Sequence, residues 1–242
     1  MITLVLLTLL AGCPATDSLL YASYLEQDLT VWDTYLNATD WDKADLEERS
    51  RILLYEYGYI PYLHSIGDSV GSRTFYQRFE AHITEYEPLL TTAEYAAYRS
   101  AAYAYSYMLG DGGLLAAYQS LRYAKKSVEA DSLCPLALIV RGNVYFYAPH
   151  IAGGSKKKAL RCFQAAERVM ENDSDYQYIW IYPSTQLCIA QCLDKIGKPS
   201  EAKLMCKKIL RLHPSFVYVR EEYFPTLLNL PVDHRGQTPR HE

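Results

Sequence analysis

Apolar residues recur every three or four positions along most of this chain, the spacing of a single helix face. From residue 17 to 36 they fall at Leu19, Leu20, Leu25, Leu29, Trp32 and Leu36, which predicts one helix. Residues 37–42 interrupt the pattern. A second helix is predicted over residues 44–65, ended by Gly67-Asp68, and a third over 72–90. Thr92 reads as an N-cap, with Glu94 in the first turn of a helix over 93–109. Gly110-Asp111-Gly112-Gly113 is a turn, and another helix follows to about Ala130. Tyr103-Ala104-Tyr105-Ser106-Tyr107 alternates as a strand does, but its Ala-rich flanks favour helix. The expectation is an all-α chain of short amphipathic helices joined by tight turns.

Beyond residue 130 a fixed register of small side chains emerges. Between Pro183 and Pro214 it runs Ala190, Leu193, Ala202, Cys206, Ile209. Gly197-Lys198-Pro199 makes the internal turn, with Ser200 and Glu201 opening the next helix. From Pro135 the same places hold Gly142, Tyr145, Ala159, Phe163 and Ala166, with five extra residues within the connection 148–154. Ser120, Ala124, Ser127 and Ser132 continue the register upstream. This arrangement resembles the tetratricopeptide-repeat family. In that pattern small residues at positions 8, 20 and 27 let two helices approach, larger ones sit at 11 and 24, and position 32 ends the unit. Ile209 is larger than usual at its place and Cys206 smaller.

The resemblance covers residues 93–216 and implies an α-solenoid, a right-handed superhelix of antiparallel helix hairpins. Residues 16–90 are expected as an N-terminal helical region, either degenerate repeats or a capping bundle, 217–230 as a capping helix broken near Pro225, and 231–242 as a disordered tail. Stacked pairs bury a continuous core that none could bury alone. The family's concave face, lined by the first helix of each pair, binds peptides or partner proteins. Carried onto this chain, that face comprises Leu136, Ile139, Asn143, Phe146 and Tyr147, then Ser184, Leu187, Gln191, Asp194 and Lys195. Members that clamp a C-terminal carboxylate carry Lys at position 5 and Asn at position 9. Asn143 matches, whereas Ile139 stands where Lys should be. The groove is therefore expected to be aromatic and mixed, suited to an apolar or extended peptide.

Composition narrows the function classes. Half of the 242 residues are apolar and the formal charge is −4, without the basic excess of a nucleic-acid binder. Tyrosine is over-used, at 23 residues; its amphipathic ring suits helix seams and binding surfaces. Six cysteines (Cys13, Cys134, Cys162, Cys188, Cys192, Cys206) show no paired zinc-ligand spacing, and most read as small core residues. Residues 1–11 are almost wholly apolar yet too short to span a bilayer, which predicts an export signal within 1–15. The positive charges that usually precede such a core are missing. Leu10-Ala11-Gly12-Cys13 resembles a bacterial lipobox, which implies lipidation of Cys13; ordinary cleavage after Ala15 is the alternative.

Chemistry is sparse. Gly153-Gly154-Ser155-Lys156-Lys157-Lys158 opens a helix, and Gly154, Ser155 and Lys156 offer an anion site there. The competing reading is a capped helix with a solvated basic first turn. His82 and Glu85 share a helix face without a second ligand pair, so no metal site is expected. No nucleophile elbow, zinc-protease helix or dinucleotide fingerprint occurs. A non-enzymatic scaffold without a cofactor is expected, exported to the bacterial cell envelope as a periplasmic protein or membrane-anchored lipoprotein. Its partner would be a protein or peptide, with membrane contact only through the lipid. The alternative is a small-molecule-binding accessory lipoprotein of a solute transporter, a group of helical repeat-containing lipoproteins that the chain loosely resembles.

Overall fold

The computed structural model describes residues 14–176 and 178–229. Residues 1–13 of the expected leader, Cys13 included, and the tail from residue 231 lie outside them, whereas Pro14 and Ala15 open the first helix. Among the described residues the chain is helical with no strand.

The helix expected over residues 17–36 is two. α1 (Pro14–Glu26) and α2 (Thr30–Ala38) meet at a turn where Gln27 adopts a left-handed φ of 62°. Asp28 N–H donates back to Ser23 O at 3.1 Å. Asp28 Oδ1 accepts from Thr30 N–H at 3.1 Å and from its hydroxyl at 2.7 Å, which restarts the helix. Apolar periodicity runs through this break because both helices bury the same stripe.

α3 (Leu46–Ser65) and α4 (Ser69–Tyr86) follow, with Asp45 and Asp68 as N-caps. α5 (Thr92–Met108) starts one residue earlier than expected. Its cap is Thr91, because only Thr91 stands three residues before Glu94. Thr91 Oγ1 accepts Glu94 N–H at 3.2 Å, and Glu94 Oε2 accepts Thr91 N–H at 3.0 Å. α6 (Gly113–Ala130), α7 (Pro135–Tyr147), α8 (Lys156–Glu171), α9 (Ile181–Lys195) and α10 (Pro199–Leu212) complete the main body. The last segment is a π-helical stretch, Tyr218–Tyr223, running into α11 (Phe224–Leu227). Pro225 sits in the first turn of α11, so the expected break near it is instead a change of helix type upstream.

α3 pairs with α4, α5 with α6, α7 with α8 and α9 with α10. Each pair packs on the next, and α5 also packs on α7. Small residues set these approaches. Phe163 of α8 is fully buried against Gly142 of α7, where a Cβ would stand 2.6 Å from the ring. Ala159, Ala166, Ala190, Ala202, Cys206 and Ile209 are likewise sealed in. In the α5–α6 pair, Ser100 Oγ donates to Ser120 O at 2.8 Å, which satisfies a buried hydroxyl.

Candidate binding cleft

The N-terminal helices reach across the fold to its last hairpin. Leu25 of α1 shares an apolar cluster with Ala190, Cys206, Ile209, Phe216 and Val219. Beside it, the Tyr21 hydroxyl of α1 bonds to His213 Nδ1. His213 Nε2 lies 3.0 Å from Gln186 Oε1, and Gln186 Nε2 donates to Glu167 Oε1 at 3.1 Å. Lys208 Nζ closes the chain on Glu167 at 3.0 Å and Glu171 at 3.1 Å. Because the Gln186 amide nitrogen faces a carboxylate, its oxygen faces His213. The imidazole therefore donates from Nε2, and in its neutral form its Nδ1 accepts from the Tyr21 hydroxyl. Burial pushes the His213 pKa down to about 4.

Where α1, α2 and α3 meet α9 and the last segment, they leave a solvent-open cleft of about 230 Å³. Six aromatic rings line it: Tyr24, Trp32, Tyr62, Trp180, Phe216 and Tyr218. The Tyr24 ring is central, 5.3 Å from Phe216, 5.7 Å from Trp180 and 6.0 Å from Trp32 between centroids. Trp32 and Trp180 cross over Gly58, where a Cβ would lie 2.7 Å from Trp180 and 2.9 Å from Trp32. Trp32 is anchored by its indole N–H to Leu20 O at 2.8 Å. The Trp180 indole N–H is buried and has no acceptor among the described residues. Gln27, Leu29 and Leu187 complete the lining, and none of the lining residues is charged.

The residues read from the repeat register are dispersed relative to this cleft. Leu136 and Ile139 are buried, on a side of α7 turned toward neighbouring helices. Asn143 Nδ2 donates to the Tyr57 hydroxyl of α3 at 2.9 Å. Phe146 is half-buried beneath the Lys156 ammonium, 4.0 Å from its ring centroid, and Lys156 also donates to Phe146 O. Tyr147 is exposed and packs edge-on to Phe146 at 5.0 Å. Gln191 and Asp194 are half-buried, and Lys195 is exposed. Of the register residues, Leu187 alone enters the cleft lining. The remaining lining comes from helices before residue 93 and from the flanks of the α9–α10 pair. Tyrosine enrichment was the only sequence signal for it.

The amides of the glycine loop are turned inward. Gly154 N–H donates to Pro149 O at 3.0 Å and Ser155 N–H to Tyr145 O at 2.8 Å. A Cβ on Gly154 would lie 1.9 Å from Ala148 O, so the chain crosses itself there. Ser155 caps α8 by accepting Lys158 N–H at 3.3 Å. Gly154, Ser155 and Lys156 are thus occupied within the protein. His82 pairs through Nδ1 with Glu56 Oε2 at 2.9 Å rather than converging with Glu85, which bonds Arg49 at 3.3 Å. Burial raises the Glu56 pKa, opposed by His82 and Arg78. Among the described residues no three metal-ligating side chains converge, and no helix is long and apolar enough to cross a membrane. Compared with family models, curated proteins and solved structures, the chain matches none of them.

Proposed function

We propose that this chain is an exported, non-enzymatic binding scaffold of the cell envelope, built as a tetratricopeptide-type α-solenoid. In this reading the aromatic cleft takes one apolar or aromatic side chain of a protein or peptide partner. Burial of the small residues at the register positions and the Gly142–Phe163 interlock support the repeat reading. The observation that carries the function is the cleft itself: six rings and no charge in the lining. Rings give the contact area for such a side chain. Size argues against the accessory small-molecule reading. Ligand pockets usually measure roughly 300–1,000 Å³, and this one is smaller and open.

The test is peptide display against the full chain, followed by titration calorimetry. Alanine at Tyr62 or Tyr218 is expected to weaken a selected peptide at least about tenfold, the scale of a central aromatic contact. Equal affinity for wild type and both variants removes the cleft from the reading. A small molecule that raises the melting temperature of wild type but not of Tyr62→Ala would favour the accessory alternative. Export is tested separately by mass analysis of the mature chain. A diacylglycerol adduct on an N-terminal Cys13 is expected; cleavage after Ala15 would overturn lipidation, and an uncleaved chain would overturn export.

A further inference from the structure

Charge along the sequence is uneven. Between residues 122 and 161 lie eight of the chain's 24 Lys and Arg residues, opposed only by Glu129 and Asp131. That stretch carries six net positive charges in a chain whose total is −4. The fold concentrates them. Arg122 and Lys125 of α6, Arg141 of α7 and Lys158 of α8 line a second cleft, of about 370 Å³, bounded by the loop before α8. Arg141 lies over the Tyr145 ring at 4.3 Å from its centroid and donates to its hydroxyl at 2.7 Å. Lys158 sits 5.5 Å from the centroid of the same ring. Lys125 has an exposed partner in Glu129 at 3.4 Å. Arg122, Arg141 and Lys158 have no ion-pair partner among the described residues. Four cations around one cleft repel one another and concentrate positive potential where an anion relieves it.

A second feature borders the cleft. Ile151, next to the lining residues Ala152 and Gly153, is 97 % exposed. A short turn joins α6 to α7, so the two run antiparallel. The start of α6 therefore stands at the same end of the pair as this loop, and there Leu114, Leu115 and Tyr118 are also exposed. A cleft for a soluble anion has no use for bare aliphatic side chains at its edge. A bilayer surface uses both: cations meet headgroup phosphates while apolar side chains enter the acyl boundary.

We propose that this edge of the α6–α7–α8 region is a contact surface for anionic phospholipid, with Arg122, Lys125, Arg141 and Lys158 on the headgroup phosphate and Ile151 entering the bilayer. The surface acts whether or not Cys13 carries lipid. The test is co-sedimentation of the full Cys13→Ser chain with vesicles of phosphatidylcholine alone or with added phosphatidylglycerol. Any contribution of the apolar N-terminus is common to both, so the readout is the gain on adding the anionic lipid. That gain is expected to fall roughly fivefold per cation removed, and about a hundredfold in R122Q/K125Q/K158Q. Ile151→Ser is expected to weaken binding while leaving its salt dependence. These side chains are exposed, and circular dichroism checks that the variants fold. Equal binding to both vesicle types, or a gain unchanged in the triple variant, overturns the proposal. So does saturation by inorganic phosphate, read by NMR at Arg122 and Arg141, without any vesicle gain; that outcome assigns the cleft to a soluble anion.

Discussion

Gly142→Ala is expected to destabilise the protein by up to about 2 kcal/mol, and to stabilise it by about 1 kcal/mol once Phe163 has been replaced by Ala. Two opposing effects meet at this position. Alanine in a helix interior is favoured over glycine by about 1 kcal/mol. Against that, the new methyl would stand 2.6 Å from a Phe163 ring that is fully buried and has nowhere to swing. Overpacking of this kind costs about 1–3 kcal/mol, so the clash prevails in wild type. Phe163→Ala alone should cost about 3–5 kcal/mol through lost burial and the cavity left behind. In that background the clash is gone and helix propensity decides the sign. Urea denaturation of the four chains measures the cycle. If Gly142→Ala has the same sign in both backgrounds, the two helices are not held by this interlock.

Stability is expected to fall by about 3 kcal/mol between pH 6.5 and pH 4 through His213 alone. In the folded chain its imidazole is neutral, with a pKa near 4 against an ordinary 6.5. Between those values the unfolded chain binds a proton that the folded chain refuses. The contribution is therefore complete above pH 6.5 and declines as pH falls toward 4. Protonation would also place a second N–H against the Tyr21 hydroxyl, which must then turn its own proton away. Titrating carboxylates add their own slope in this range, so the measurement is a difference. His213→Asn should flatten the profile between pH 4 and 6.5 relative to wild type. Parallel profiles would mean that the histidine is solvated or already charged.

The helices from residue 93 to 212 are legible in the sequence because three signals coincide there: helical periodicity, turn glycines such as Gly110 and Gly197, and small residues in register. Local cues mislead by a residue or two where chemistry is ambiguous, as with Thr91 and Thr92, either of which could cap; only the reciprocal bond with Glu94 chooses. Nothing in the pattern from Leu19 to Leu36 announces the left-handed Gln27, since glutamine carries no preference for that conformation. The cleft is less legible still. Tyr24, Trp180 and Phe216 are brought together by packing between the two ends of the chain, and a sequence period reports only the face of one helix. Asn143 illustrates the limit. Its register position is read directly, but its hydrogen bond to Tyr57, 86 residues away, is a tertiary fact.

The contact between α1 and the region around His213 has a consequence for how the molecule assembles. Open helical arrays behave as one-dimensional systems, in which units fray from the ends and partial arrays persist. Here a helix early in the chain needs a segment far downstream of it, with Tyr21 and His213 separated by 192 positions. During synthesis α1 should therefore stay unsettled until the region around His213 has been made. Once closed, α1 and the α9–α10 pair hold each other against fraying, so melting gains cooperativity and removal of that pair loosens α1.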